Sequence, residues 1–321
     1  MRHEGIQHSN HLRHISRGGG SFLQGPLGLL AISLIVAACN TASPTPTPTA
    51  TQAAPTPTPG SDLAAVLRQH YDAVNKGDVA SIMATFTNDA VVVRGTGCTP
   101  PQAPCVGKPA IQTQLERELR GQPRYGISDI QVSGNAVSAR AEWRGTPILN
   151  AGLERVIVNI TATFSSDRIS RIVHDLDLRD SQSAAFTNFL RISSVVGPRD
   201  EALNRGDVSG VMVHFSETAV FEGFGACVSA PCASKAAIQK EMERQIADKT
   251  RITGVPESAR VAGDVLTLRA ELRSDSIRAA GVERVIVART TEVKGDKITI
   301  LRYVLDATDP QTATYLKSLG K

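Results

Sequence analysis

The spacing of apolar residues changes along residues 61–321. From Ser61 to Lys76 they recur every three or four positions, which predicts an amphipathic helix with a buried stripe of Leu63, Val66, Leu67, Tyr71 and Val74. From Asn135 to Arg144 apolar and polar residues alternate, as in a strand with one buried face. Two longer β-branched runs follow, at 153–164 and 169–178. This order predicts an α+β fold in which about three helices cover a curved antiparallel sheet.

The same order of patterns occurs twice. Residues 154–158 (ERVIV) return unchanged 129 positions later, at 283–287. Without gaps, 134–178 shares 18 of its 45 residues with the stretch 129 positions later, whereas unrelated segments of this composition share roughly one in fifteen. The sequence therefore predicts two tandem copies of one domain, at 61–188 and 189–321.

An export signal is expected before the first copy. The apolar run from Pro26 to Ala38 is shorter than the roughly 20 residues that span a bilayer, but has the length of a signal-peptide core. It ends in VAAC at 36–39, which resembles the lipobox of bacterial lipoproteins, whose cysteine becomes the acylated first residue. We predict a signal peptide at 1–38 and lipidation of Cys39; the alternative is a plain secretory signal with an incidental cysteine.

Thr and Pro dominate the rest of the segment 39–60. Alternating prolines favour an extended polyproline II chain and disfavour a packed core, so we expect a tether between the lipid and the folded part. A recognition tract for a proline-binding partner is the other interpretation. The expected location is extracytoplasmic, anchored to the cell membrane through lipid.

The order of motifs resembles the NTF2-like superfamily, and in particular its SnoaL-like domains. The resemblance is carried by YDAVNKGD (71–78) and FTNDAV (86–91), and in the second copy by EALNRGD (201–207) and FSETAV (215–220). It implies tandem NTF2-like cones whose apolar mouth often holds a small molecule, and frequent dimerisation. The two copies could dock as an intramolecular pseudo-dimer through a sheet face carrying charged residues, Arg140, Glu142 and Arg144 in the first copy and Arg269, Glu271 and Arg273 in the second.

Enzymes of this superfamily that resemble ketosteroid isomerase need a phenolic donor in the first helix and a carboxylate base after the first strand. On this chain the donor position falls near His70 and Arg199, and the base position falls near Arg94 and Gly223. Tyr71, one residue along the helix, is expected to point about 100° away. We therefore predict no catalytic residues in either copy.

Composition and charge exclude further classes. The net charge is +4 with interspersed signs and aromatic residues make up 4% of the chain, so we expect no nucleic-acid partner. The stretch His174–Asp177 could suggest a metal site, but the second copy reads Tyr303-Val-Leu-Asp306 there. We expect neither a metal nor a cofactor.

Four of the five cysteines remain once Cys39 is assigned to lipid. They form two loop pairs, Cys98 with Cys105 and Cys227 with Cys232. Four cysteines allow three disulfide connectivities, and we favour pairing within each loop, which export to an oxidising compartment would permit.

The sequence favours a surface-anchored, non-catalytic module that binds a small apolar or amphipathic ligand or an envelope partner. One alternative is a SnoaL-type isomerase, cyclase or dehydratase with unplaced catalytic residues, and another is a structural interaction module with filled cones. Candidate pocket residues are the large aromatic side chains of both copies: Tyr71, Phe86, Trp143, Phe215, Phe221 and Tyr303.

Overall fold

The computed structural model describes residues 62–93 and 104–320. The expected signal peptide, Cys39, the Thr/Pro-rich segment, Arg94 and Cys98 lie outside the described residues. The described chain forms two six-stranded sheets covered by helices. We call the first sheet and its helices domain 1, and the second sheet and its helices domain 2.

Domain 1 begins with two helices whose ends follow from the sequence. The Asp62 carboxylate accepts a hydrogen bond from the Ala65 amide and starts the first helix, which ends at Gly77 with a left-handed φ of 72°. Asp78 then caps the second helix in the same way. The elements are α1 Leu63–Lys76, α2 Val79–Ala84, β1 Phe86–Val93, β2 Cys105–Val106, α3 Lys108–Leu119, β3 Arg124–Ser133, β4 Ala136–Arg144, α4 Thr146–Asn150, β5 Val156–Ser165 and β6 Arg168–Leu176.

Domain 2 repeats this plan after a long helix, α5 Ser181–Arg205. Its further elements are α6 Val208–Met212, β7 Phe215–Glu222, a 3₁₀ turn Gly225–Val228, α7 Lys235–Ala247, β8 Arg251–Gly254, β9 Arg260–Ala262, β10 Val265–Arg273, α8 Asp275–Ala279, β11 Val285–Lys294, β12 Lys297–Leu305 and α9 Pro310–Ser318. The C-terminal part of α5 takes the place that α1 has in domain 1. The two domains therefore share one continuous helix, and the predicted boundary between 188 and 189 falls inside it.

Both sheets have the same strand order. It is β2-β1-β6-β5-β4-β3 in domain 1 and β7-β12-β11-β10-β8 in domain 2, where β9 also pairs with β10. The expected antiparallel pairing holds except at one neighbour pair in each sheet, because β1 runs parallel to β6 and β7 runs parallel to β12. The chain passes through the rest of the domain between these two strands, so no hairpin constrains their relative direction.

Each domain has its own hydrophobic core. In β4 the alternation predicted from sequence buries Val137, Ala139 and Ala141 under the helices. Phe189, in the middle of α5, packs against both cores. The shared helix therefore joins the two cores by side-chain contact.

Candidate functional site

A cavity of about 150 Å³ lies inside domain 1, between the sheet, the end of α3 and the first part of α5. Most of its wall is apolar, and Glu118 contributes a carboxyl group and His174 an imidazole to the lining. The remaining lining residues are Gly121, Pro123, Tyr125, Trp143, Pro147, Val158, Leu176, Phe186 and Leu190. An apolar concave lining with few polar groups is typical of small-molecule sites, and at about 150 Å³ this space is smaller than the roughly 300–1,000 Å³ of a site for a drug-sized ligand.

One side of the cavity is aromatic. Tyr125 and Trp143 are cross-strand partners on β3 and β4, and their rings stack with centroids 6.0 Å apart and planes 5° apart. Phe186 of α5 meets the Trp143 ring edge-on at 5.6 Å. Trp143 is the only tryptophan of the chain, so its fluorescence reports directly on this cavity.

A buried polar pair lies at the wall of the cavity. The Tyr71 hydroxyl of α1 is 2.5 Å from His174 Nε2 of β6, and the two residues are 2% and 8% exposed. His174 also lines the cavity. A phenol and an imidazole in hydrogen-bond contact can hold or transfer a proton, so this pair is the chemically most capable group of the site.

His70 and Tyr71 point to different sides of α1, in keeping with the step of about 100° between neighbouring helix positions. Adjacent positions of α1 are both buried, because the helix is covered on one side by α2 and on another by the sheet. His70 faces the first side, where its Nδ1 lies 2.9 Å from the Thr85 hydroxyl. Tyr71 faces the second and reaches His174.

Glu118 is the acidic residue of the lining and lies in the last turn of α3. Its Oε1 accepts a hydrogen bond of 2.8 Å from Gln114 Nε2, one helical turn earlier. In domain 2 the order of the two residue types is reversed, since Gln245 donates to Glu241 at 2.9 Å.

Comparison with known proteins gives this cavity a family context. A family model described as SnoaL-like domain matches residues 67–175, which include Tyr71, Trp143 and His174. Residues 67–175 are a SnoaL-like domain. No curated protein matches the chain.

Solved structures similar to this chain each cover about a third of it. A proposed polyketide cyclase from Sinorhizobium meliloti has 20% identity over 35% of this chain and 94% of its own, with a TM-score of 0.30. A cystatin-fold protein from Novosphingobium aromaticivorans has 20% identity over 35% and 97%, also with a TM-score of 0.30. An NTF2-like protein of unknown function from Cytophaga hutchinsonii has 10% identity over 36% and 91%, again with a TM-score of 0.30.

Domain 2 carries charge where the SnoaL-like domain carries its polar pair. At 129 positions after His70, Tyr71 and His174 stand Arg199, Asp200 and Tyr303. Asp200 accepts hydrogen bonds from Arg199 Nη1 at 2.8 Å and from Arg289 Nη1 at 2.6 Å, and Arg199 also donates to the Tyr303 hydroxyl at 3.2 Å. The guanidinium side chains are 1% and 3% exposed.

The charges of this cluster favour its ionised form. Burial alone raises the pKa of Asp200, but Arg289 and Arg199 outweigh burial and hold that pKa below its ordinary value. The cluster contains two cations and one anion, with the Arg199 guanidinium also 5.8 Å over the Phe215 ring. It is therefore a buried ionic network inside domain 2 and differs in chemistry from the apolar cavity of the SnoaL-like domain.

The six candidate pocket residues lie in different places. Trp143 lines the cavity, and Tyr71 contacts its wall through His174. Phe86 packs in the core beside His70, at 5.1 Å between ring centroids. In domain 2, Phe215 lies under Arg199 and Phe221 meets the Tyr303 ring edge-on at 5.4 Å; Tyr303 also lines an open groove of about 540 Å³ beside α9.

Sequence reasoning missed several lining residues, notably His174, Tyr125 and Phe186. A signal for His174 exists in β6, because Ile172, His174 and Leu176 are every second residue of the strand and so share one of its faces. Phe186 has no such signal, since its helix belongs to the junction between the copies.

Among residues 62–93 and 104–320 no group of three or more His, Cys, Asp or Glu side chains could hold a metal ion.

The second cysteine loop is held to the helix behind it. Cys227 and Cys232 form a disulfide with Cα atoms 5.4 Å apart. The buried Glu241 carboxylate of α7 accepts hydrogen bonds from the Ala226 amide and from Arg244, and so fixes the loop at its start. Cys105 is disulfide-bonded as well and is buried.

The repeated Glu-Arg motif has a structural role in both domains. Arg155 Nη1 pairs with Asp180 at 3.1 Å, and Arg284 Nη1 pairs with Asp309 at 3.1 Å. Each aspartate is the N-cap of the helix that follows its sheet.

The charged sheet residues expected to mediate a pseudo-dimer form ion pairs with acids of their own domain: Arg140 with Asp177, Arg144 with Glu142, Arg269 with Asp306, and Arg273 with Glu271. The pseudo-dimer remains a prediction. In the described part of the chain no helix is long and apolar enough to cross a bilayer.

Proposed function

We propose that domain 1 binds a small, uncharged, largely apolar molecule in the cavity beside Trp143. The observation that carries this proposal is the apolar, partly aromatic wall around an interior space of about 150 Å³. An apolar cavity of this size in another protein holds a benzene-sized molecule. The ligand class is therefore a molecule of about one ring with small substituents.

The polar groups of the wall favour a neutral ligand. A charged group placed among Val158, Leu176 and Phe186 would lose its hydration among apolar side chains. The carboxylate of Glu118 would in addition repel an anion. One neutral hydrogen-bonding group on the ligand is compatible with His174, which supplies the polar part of the inner wall.

The test is titration of the protein with ethylbenzene and acetophenone, followed by Trp143 fluorescence. We expect saturable changes with both compounds, because both fit the cavity. The variant Val158→Phe fills part of the cavity and should abolish saturation. Val132→Phe, at a position of β3 that is 54% exposed, is the matched control and should bind as the unsubstituted protein does. Saturation that survives Val158→Phe would refute binding in this cavity.

For cellular location we propose attachment outside the cell through acylated Cys39. The support is the VAAC sequence at 36–39 and the Thr/Pro-rich segment after it, together with the Cys227–Cys232 disulfide, which is typical of oxidising compartments. Cells fed a radiolabelled or clickable fatty acid should label the protein and retain it in the membrane fraction. Cys39→Ser should lose the label, and an unchanged label would contradict the assignment.

A second candidate function is proton-transfer catalysis of the isomerase, cyclase or dehydratase type. It is favoured by the 2.5 Å contact between the Tyr71 hydroxyl and His174 Nε2 at the cavity wall, because these groups can act as acid and base. The test is hydrogen–deuterium exchange next to the carbonyl of acetophenone, followed by NMR in D₂O. Exchange that is accelerated by the protein and lost in His174→Asn supports catalysis, whereas ligand binding without exchange leaves domain 1 a binding module.

A further inference from the structure

The helix that covers the cavity of domain 1 is also the first helix of domain 2. We propose that domain 2 holds this cover closed and so controls access to the cavity; this inference rests on the proposed binding function. The cover is the first part of α5, Ser181 to Leu190. It is held by the contacts that the next part of α5, from Arg191 onward, makes with domain 2.

The cover segment contributes part of the cavity wall. Phe186 is 1% exposed and, together with Leu190, lines the cavity. The start of the segment is tied to β5 of domain 1, where the Ser183 hydroxyl accepts a hydrogen bond of 2.7 Å from the Ile157 amide. Gln182 accepts bonds from the amides of Glu154 and Arg155 just before that strand. A molecule entering between α5 and the sheet therefore has to displace Phe186 and Leu190.

The end of the segment is tied to domain 2. Arg191 Nη2 donates to Asp264 at 2.6 Å and Nη1 donates to the Val293 carbonyl at 3.2 Å, on the hairpins of the second sheet. The next helical turns bury Ile192, Val195 and Val196 in the core of domain 2. Because the helix is continuous, lifting Leu190 away from the cavity also strains these contacts.

Domain 2 provides an internal comparison, since α9 stands 129 positions after the first part of α5 and begins in the same way. The start of α9 is tied in the same way, by Thr312 to the Ile286 amide at 2.8 Å and by Gln311 to two further amides. Its counterparts of Phe186 and Leu190 are Tyr315, which is only partly buried, and Leu319, which is 50% exposed. The groove beside α9 is open. The same helix start thus accompanies a covered cavity in domain 1, where the helix continues into a second core, and an open groove in domain 2.

The test measures exposure of Trp143 and needs no ligand. Insertion of Gly-Ser-Gly between Leu190 and Arg191, made in the full chain, uncouples the cover from the part of α5 that contacts domain 2. We expect acrylamide to quench Trp143 fluorescence with a rate constant raised by about two-fold or more, because the open population of the cover grows. The same insertion after the exposed Gly281, between α8 and β11 of domain 2, is the matched control and should leave quenching unchanged.

A milder variant keeps the proposal testable if the insertion prevents folding. Arg191→Met removes the two hydrogen bonds to domain 2 and should raise quenching in the same direction. Arg205→Met, in the last turn of the same helix, breaks only an exposed pair with Glu201 and should not. Quenching unaltered in a folded insertion variant or in Arg191→Met would overturn the proposal. Absence of ethylbenzene binding in the unsubstituted protein would instead refute the binding function.

Discussion

Replacing Asp200 by Asn would remove the only anion of the buried ionic network in domain 2. In the native protein its two oxygens accept hydrogen bonds from Arg199 at 2.8 Å and Arg289 at 2.6 Å, while those cations are 1% and 3% exposed. Breaking a buried ion pair by removing one partner costs about 3–5 kcal/mol, because the remaining charge stays buried and uncompensated. Since Asn keeps one acceptor oxygen, we expect the lower end, about 3 kcal/mol of unfolding free energy.

For a protein of this size, about 3 kcal/mol lowers the midpoint of thermal unfolding by about 6–12 °C. The assay is far-UV circular dichroism with heat and with urea, because the single tryptophan lies in domain 1 and would not report on domain 2. The control is Asp296→Asn, whose side chain is 83% exposed in its salt bridge with Lys297, and which should leave the midpoint unchanged.

A double-mutant cycle separates this network from general damage. Arg289→Met leaves Asp200 paired with Arg199, so we expect a smaller loss than in Asp200→Asn. The double variant should be more stable than the sum of the single losses predicts, with a coupling free energy of about 2 kcal/mol. If the unfolding free energy of Asp200→Asn lies within about 0.5 kcal/mol of the native value, the reasoning is refuted, because changes of that size are typical of substitutions at surface positions.

The same carboxylate predicts a dependence on pH. Its pKa in the folded protein is held below the ordinary value of 3.8. The stabilisation is therefore complete above that ordinary value and is lost as the pH falls through the lowered folded pKa. Asp200→Asn should consequently flatten the acid side of the stability curve for domain 2.

Three further perturbations test individual contacts. Tyr71→Phe removes the hydroxyl contact at the cavity wall and should cost about 1 kcal/mol in urea unfolding, without loss of ethylbenzene binding; an unchanged midpoint would mean that the contact is energetically neutral. Glu241→Gln should cost about 2–3 kcal/mol because it weakens the bonds to a buried carboxylate, while the exposed Glu243→Gln should be silent by the same assay. Replacing Cys227 and Cys232 together by Ser should cost about 2 kcal/mol for so short a loop. Because reductant also opens the disulfide of Cys105, it should destabilise the double variant less than it destabilises the native protein, and an equal loss in both would contradict a role for the Cys227–Cys232 bond.

The regular elements were predictable because local chemistry and spacing agree on them. Asp62 and Asp78 cap helices whose apolar stripe is visible in sequence, and Gly77 supplies the left-handed residue between them. The alternation in β4 identifies its buried face. The duplication then transfers the whole plan to domain 2.

The candidate site was less predictable because it depends on tertiary covering. The stripe predicted for α1 includes Tyr71 and leaves out His70, but α1 is covered on two sides and buries both residues. The continuity of α5 is hidden by Gly197 and Pro198, two residues that disfavour helix interiors and lie inside this one. Its cover residues Phe186 and Leu190 therefore carried no signal as part of a cavity.

Native mass spectrometry of the protein purified from its own host tests directly whether domain 1 binds a small molecule. We expect one bound molecule of about single-ring size on the native protein. The same molecule should be retained by Val132→Phe and absent from Val158→Phe. A ligand retained by Val158→Phe would place binding elsewhere. A native protein that carries no added mass and takes up neither ethylbenzene nor acetophenone would contradict the claim that domain 1 is a binding site.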